Sequence, residues 1–329
     1  AHNVEIEMTH VTADIIFRTI FSLPLEAPQA KLVFSAFSRF QALAPRLMLP
    51  SLFGLRWLTM PWDTWRSRKA AREIRSLLSD LVRPRWAAYA TGQSGDTTDI
   101  LGAFLQARDP VTGEPFGFEA LVDQVAMLFL AGHETSASAL TWALYLMASA
   151  PGIQQRMFVE AMGSQGDGQV DALDLKQLVL TRNVFREALR LFPPVGFITR
   201  QAAQACPMRD KQVSAGAAVV ISPWLIQRHR SLWSEPDAFD PDRFADDRSR
   251  ASLGQAYLPF GMGPRVCMGA AFAMQEAVLI LSDLVRHFRL EVVAGHVPQP
   301  VGRLTIRSAN GVQLVLQRRQ ATEISRGGP

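Results

Sequence analysis

For its first two hundred residues the chain repeats apolar positions at helical spacing. EIEMTHVTADIIFRTIF, residues 5–21, carries the pattern from the outset. In RKAAREIRSLLSDLV, Ile74, Leu77, Leu78 and Leu81 form an apolar stripe, with Arg68, Lys69, Arg72 and Arg75 largely off it as a solvated face. TGQSGDTTD, residues 91–99, predicts a loop. Residues 118–150 predict one long apolar helix, enough to cross a whole domain. Pro151 ends it, and Pro151-Gly152 also suits the start of the next helix. GSQGDGQ reads as another loop, and TRNVFREALRLF as a short helix halted by Pro193-Pro194. After residue 195 the pattern changes. GFITRQAA and AGAAVVISPWL are β-rich, and DPDRFADDRSRASLGQ reads as irregular. An amphipathic helix, AAFAMQEAVLILSDLVRHF, and the short strands LTIRS and GVQLVLQRR follow, with no internal repeat anywhere. The prediction is a mainly α protein with small β-sheets: one domain over 1–318, helical over 1–194, β-rich over 195–255, a loop and helix over 256–290 and C-terminal strands over 291–318. A flexible tail over 319–329 completes it.

Composition narrows the class only a little. The chain has 329 residues, 48% hydrophobic and 19% charged, an ordinary globular balance with enough length for a large core. Two distant cysteines exclude a disulfide framework and point to the reducing interior of a cell, and alanine-rich helices with no anchor in view lead to the expectation of a soluble, cytoplasmic, bacterial protein. A net charge of +4 and a pI near 9.4 suit an acidic protein partner and do not call for nucleic acid. The start, Ala1-His2-Asn3, shows no signal peptide, and the helical pattern is already running. An N-terminal portion, with any membrane anchor it carried, is therefore expected to be missing from this chain. Thr135 to Ile153 is uncharged, but Thr135, Ser136, Ser138, Thr141 and Ser149 interrupt it, so it reads as a buried helix and not a membrane span.

The candidate chemistry centres on LPFGMGPRVCMG, residues 258–269, where one of the two cysteines, Cys267, lies among Gly261, Gly263 and Gly269 with Arg265 two residues before it. A phosphate cradle fails on spacing, since Val266 stands where G-x-G-x-x-G needs its third glycine. A zinc knuckle fails for want of a C-x-x-C, and HETSA at 133–137 has Ala137 where a zincin needs its second histidine. A thiol nucleophile needs a histidine base, and six histidines leave that open. A thiolate metal ligand gives every residue a reason. A helix starting at 268 would turn its positive end and free N–H groups to the sulfur. The glycines would let the backbone lie against a planar cofactor, Phe260 would shield the sulfur from water, and Arg265 could pair with a cofactor carboxylate.

FGMGPRVCMG, residues 260–269, resembles the haem-binding signature of the cytochromes P450, F-G-x-G-x-R-x-C-x-G, at every fixed position. Further stations follow the family's order. AGHETS, residues 131–136, resembles its oxygen-activation stretch. Glu187 and Arg190 in EALR match its E-x-x-R helix. PPVGFITR carries Arg200 where the family often places a haem-propionate partner. FDPDRF, residues 239–244, resembles its P-E-R-F element with Asp242 in place of glutamate. The resemblance runs from about residue 5 to 318. It implies the P450 fold, with a long central helix over haem and a Cys-ligand loop before a C-terminal helix, here N-terminally incomplete.

The resemblance also implies haem b with Cys267 as the thiolate ligand of its iron. It places Arg265, Phe260, Gly261, Gly269, Arg200, Ala131 and Gly132 around the cofactor. Glu134 and Thr135 would deliver the protons that split O2, with Thr135 bonding back to a carbonyl one turn earlier and opening a notch in the helix. Glu187, Arg190 and Arg243 would form a buried structural triad holding the cysteine loop. Leu128, Val195, Gly196, Phe197, Ile198 and Ala309 would line a pocket for a small apolar substrate. His133 alone reads as a satisfied helix residue. The implied activity is insertion of one oxygen atom from O2 into an apolar compound by a monomer. Its electrons would come from a ferredoxin, a flavodoxin-like domain or a reductase. A truncated, non-catalytic haem or ligand-binding protein and a haem-thiolate peroxygenase are the alternatives.

Overall fold

The computed structural model describes residues 1–52, 59–93, 98–163, 174–245 and 250–320. Two compact units divide the chain, one of Ile6–Ala137 and one of Ala1–Glu5 with Ser138–Pro329. Among the described residues no helix is long and apolar enough to cross a membrane.

The first unit is helical. It contains most of α1 (Val4–Phe21), then α2 (Pro28–Leu52), α3 (Pro61–Ala90), α4 (Ile100–Gln106) and the first part of α5 (Phe118–Ser149). Its core gathers Phe17, Ile20, Phe37, Leu78 and Phe129, all buried. Phe129 lies 4.8 Å from Phe17 and 4.6 Å from Phe37, ring centre to ring centre. Burying each such side chain is worth about 1.5–3 kcal/mol. The predicted stripe on α3 is present but shifted. Ala70, Ile74, Leu78 and Val82 are buried, whereas Leu77 and Leu81 pack only at the edge. The helix is also longer than its stripe, starting at Pro61, a residue suited to a first turn, and running through Pro84. Arg68, Lys69 and Arg72 are exposed, while Arg75 pairs with Glu119 at 2.6 Å and with Asp123, both on α5.

Asp99 ties three elements of this unit together. It caps α4, accepting from Gly102 N at 2.9 Å, takes the Arg85 fork at 2.6 and 2.7 Å and accepts from Ser22 Oγ at 2.9 Å. Burial opposes its ionisation, but the Arg85 fork, the Gly102 N–H and the Ser22 hydroxyl outweigh burial and hold its carboxyl below the usual range. A depressed carboxyl stabilises the fold fully above its unfolded pKa of about 3.9, and that contribution disappears as pH falls through the lower folded value. Asp99→Asn should cost about 2 kcal/mol near neutrality. The gap to wild type should close as melting is followed down from pH 6 into acid, and a gap independent of pH would refute this account.

The second unit is mixed. A three-stranded antiparallel sheet in the order β1 (His2–Asn3), β9 (Gln313–Arg318), β6 (Phe288–Val292) is joined by three two-stranded pairs. These are β2 (Ile198–Gln201) with β5 (Ala218–Ile221), β3 (Cys206–Met208) with β4 (Lys211–Val213), and β7 (Pro300–Gly302) with β8 (Ile306–Ser308). Helices α6 (Pro151–Gly163), α7 (Val179–Leu191), α8 (Pro223–Ile226), α9 (Arg250–Ala256) and α10 (Ala270–His287) complete it. Gln154 is buried and clips α6 to β6, donating to Leu290 O at 2.9 Å and accepting from Leu290 N at 2.8 Å.

Several boundaries differ from the prediction. His2–Asn3 is a strand because it pairs with Leu314 and Gln313, partners at the far end of the chain. Residues 250–255, read as irregular, fall in α9, which ends at the fully buried Ala256. α10 begins at Ala270, with Gly269 as its cap, two residues later than expected. Arg319, assigned to the tail, is held by Val285 O at 2.9 Å and stacks on Phe158. Most of the GSQGDGQ loop, part of the 91–99 loop and residues 321–329 of the tail lie outside the described residues.

Candidate functional site

The Cys267 loop lies between α9 and α10 and closes on itself. Cys267 N donates to Phe260 O at 2.9 Å, Gly261 N to Leu258 O at 3.2 Å and Val266 N to Gly263 O at 3.0 Å. Gly261 and Gly263 take φ of +73° and +77°, the left-handed region where a Cβ is strained. A Cβ at Gly269 would lie 3.9 Å from Cys267 Sγ, an ordinary contact, so this glycine lies beside the sulfur. Cys267 is an exposed free thiol, and Met262, Val266 and Met268 are exposed beside it in sequence, with Phe260 half-buried. Arg265 is exposed. Arg200 is exposed on β2, on the same strand face as Ile198, whose Cδ1 would lie 3.8 Å from a Cβ at Gly261.

Beneath the loop Glu187, Arg190 and Arg243 come together, all buried. Glu187 takes Arg190 as a fork at 2.7 and 2.8 Å, and its Oε1 also accepts Arg243 Nε at 2.9 Å and Asp240 N at 3.1 Å. Arg190 spends its remaining donors on the carbonyls of Gln227, Pro236 and Ala238, and Arg243 on those of Ser234, Glu235 and Ala238. Gln227, which the sequence did not single out, connects this cluster to the loop. It is fully buried, donates to Leu189 O and Arg190 O at 3.0 Å each, and accepts from Leu258 N at 2.7 Å. Asp242 turns away to a bidentate pair with Arg156. Arg228 lies over Trp224 and Phe192, and burial together with the nearby Arg190 lowers its pKa to about 10, so it remains a cation at neutral pH.

In the first unit α5 presents Leu128, Ala131, Gly132 and Thr135 on one face by helical spacing. Ala131 is exposed, while Leu128, Gly132 and Thr135 are half-buried. Thr135 Oγ1 donates to Ala131 O at 2.5 Å, the predicted back-bond, yet α5 continues without a break and no notch opens in its helical run. Glu134 is buried. The space a Gly132 side chain would need is filled by Ile16, whose Cδ1 would be 2.9 Å from a Cβ, so this glycine serves helix packing. His133 is buried and stacked on Phe129, with Nδ1 2.8 Å from Phe129 O.

The remaining predicted pocket residues lie in the second unit. The segment from Pro194 to Ile198 runs against β8, where Ile306 N donates to Pro194 O at 3.0 Å and Ile306 Cδ1 would lie 3.0 Å from a Cβ at Gly196. Val195 is exposed, and Gly196, Phe197 and Ile198 are half-buried. Ala309 is exposed just past β8, its N–H donating to Gln299 O. Ile306 O accepts from Ser138 Oγ at 2.7 Å and Trp142 Nε1 at 3.0 Å, which anchors β8 to the second half of α5.

Among the described residues no group of three or more His, Cys, Asp or Glu side chains could hold a metal ion. A lone exposed thiol can then serve a metal only if a cofactor's own ring fills the other positions. Exposed apolar residues next to it in sequence, left-handed glycines in its turn, and exposed guanidiniums at Arg265 and Arg200 fit a planar, carboxylate-bearing cofactor such as haem.

Comparison with known proteins agrees. The family model described as Cytochrome P450 matches residues 2–314. Cyclooctatin synthase of Streptomyces melanosporofaciens is 35% identical over 229 residues, covering 70% of this chain and 50% of that protein. Pentalenene oxygenase of Streptomyces avermitilis is 32% identical over 309 residues, covering 92% and 66%. The chain thus spans half to two thirds of the length of these relatives. The crystal structure of the cytochrome P450DA heme domain superposes with a TM-score of 0.84 at 26% identity, covering 98% of this chain and 69% of that one.

Proposed function

This chain belongs to the cytochrome P450 family, and on that premise we propose that it is a haem-thiolate monooxygenase, inserting one atom of O2 into an apolar organic substrate with electrons from a redox partner. The observation that carries the reading is the Cys267 loop: an exposed thiol on a turn built with left-handed glycines, with Arg265 two residues before it and α10 starting three residues after it. Haem, when bound, would be held through the Cys267 thiolate and would supply the redox chemistry that activates O2. Arg265 and Arg200 neutralise its carboxylates, and Phe260 keeps water from the sulfur. Glu134 supplies protons and Thr135 relays them, because a hydroxyl can accept one proton while donating its own. Leu128 and Ala131 in the first unit, and Val195, Gly196, Phe197, Ile198 and Ala309 in the second, would each offer apolar contact to a substrate. The name pentalenene oxygenase, carried by one relative, supports an apolar substrate. A ferredoxin, a flavodoxin-like domain or a reductase would deliver electrons to a basic face of the protein. One family model spans both compact units, which supports reading residues 1–318 as a single domain. Two free thiols suit the cytoplasm.

The test is turnover under isotopically labelled O2 with a panel of apolar compounds and a reductase system. One labelled oxygen in the product, dependent on reductant, is expected. Product formed from peroxide alone would move the assignment to a peroxygenase. In the same assay Thr135→Ala should lower product per electron consumed by at least about tenfold. Its haem spectrum should stay as in wild type, since the lost hydroxyl donates to Ala131 O within its own helix. Unchanged product per electron would remove Thr135 from the proton route.

A further inference from the structure

Thr12 lies in the middle of α1 with 1% of its surface exposed. Its hydroxyl has two close acceptors, Met8 O at 2.8 Å and His133 O at 2.9 Å, with Thr9 O further off at 3.4 Å. The bond to Met8 is the common back-bond of a helical hydroxyl, as Thr19 makes to Ile15 O and Ser38 to Phe34 O. The bond to His133 is of another kind, reaching a carbonyl 121 positions along the chain. A hydroxyl carries one proton, so Thr12 shares it between α1 and α5 and bridges the two helices. One turn further along α1, Ile16 fills the space beside Gly132. Two contacts one turn apart on α1 therefore fall on adjacent residues of α5, directly before Glu134 and Thr135.

The carbonyl that Thr12 holds belongs to the same rigid peptide plane as the Glu134 N–H. On the other side of that plane the His133 side chain is locked. Its ring stacks on Phe129 with centroids 4.6 Å apart, Phe34 and Phe37 meet it edge-on, and Gln41 Nε2 lies 3.3 Å from its Nε2. The plane has no freedom to rotate about α5 while both restraints hold. We infer that Thr12 is a positioning residue for the proton-delivery pair: by bridging α1 to the His133–Glu134 peptide it sets the rotation at which Glu134 and Thr135 are presented. The inference rests on reading Glu134 and Thr135 as that pair.

Thr12→Val keeps the volume and removes the hydroxyl. With haem content and spectrum as in wild type, product per electron consumed should fall roughly threefold to tenfold, the range a single lost hydrogen bond spans. Amide hydrogen exchange over residues 131–137 should quicken, and Thr12→Ser should restore both readings. Thr135→Ala is run beside these variants. If Thr135→Ala is impaired and Thr12→Val is not, the inference is overturned, and it is equally overturned if Thr12→Ser fails to restore what Thr12→Val loses. If Thr135→Ala is unimpaired, the proton route itself was misassigned. Exchange over 131–137 then decides alone: faster in Thr12→Val supports Thr12 as the restraint on this stretch of α5, with the proton-delivery part withdrawn, and unchanged overturns it. Should Thr12→Val fail to fold, Thr12→Ala is read by the same criteria.

Discussion

Replacing Cys267 by serine should abolish the red-shifted Soret band of the reduced, CO-treated protein and take monooxygenase turnover below detection, while leaving the fold intact. The separation is possible because the loop is shaped by backbone. Its closing bond runs from Cys267 N to Phe260 O, and its turns depend on Gly261 and Gly263, none of which a serine disturbs. The side chain is exposed, so the substitution itself should cost within about 0.5 kcal/mol. Serine is nearly isosteric but offers a hydroxyl in place of a thiolate, and with it goes the electron donation that favours O–O cleavage. Cys206→Ser is the control. That thiol sits on β3 opposite Val213, and its loss should leave the band in place. A wild-type protein whose band is typical of nitrogen or neutral-thiol ligation would mean that the loop is present but does not present a thiolate. Wild-type protein without haem would favour the non-catalytic alternative.

What was legible in the sequence was what is local in the chain. α5 could be read because its apolar run is continuous and ends at Pro151, and the cysteine loop because all its residues fall within ten positions. Glu187 and Arg190 are three apart on one helix face, so the spacing alone placed them together. The family pattern added Arg243, 56 positions from Glu187, which spacing could not have supplied. The missed features are held by distant partners. β1 exists only because β9 does. Gln227 looks like any surface glutamine until its bonds to Leu189, Arg190 and Leu258 are seen, and Thr12 like any helical threonine until α5 lies against it. The expected notch at Thr135 failed for the opposite reason. A side-chain back-bond can be added to a helix without removing its backbone ladder, so the hydroxyl alone does not open one.

The largest loss of stability should come from Glu187→Ala. It leaves Arg190, fully buried, and Arg243, 3% exposed, with no carboxylate between them. Removing one partner from a buried ionic cluster costs roughly 3–5 kcal/mol, because the remaining charges lose their counter-ion but not their burial. For a chain of 329 residues that is a melting temperature lower by about 4–7 °C. Glu187→Gln keeps the volume and one acceptor and should fall between the two. The consequence should reach the cysteine loop by a definite route. Arg190 donates to Gln227 O, and Gln227 Oε1 accepts from Leu258 N at the start of the loop. Loosening Arg190 therefore loosens the strut on which Leu258 rests, and haem loading should fall together with the melting temperature. Gln227→Leu tests the strut separately. It leaves the ionic cluster intact but strands the Leu258 N–H, so it should lower haem loading with a smaller change in melting. If Glu187→Ala melts early yet still binds haem fully, the cluster supports the fold without holding the loop, and Gln227 is not the link between them. Because Cys267→Ser removes the ligand and spares the fold, whereas Glu187→Ala spares the ligand and weakens its support, loading and melting measured together on both variants separate haem chemistry from haem housing.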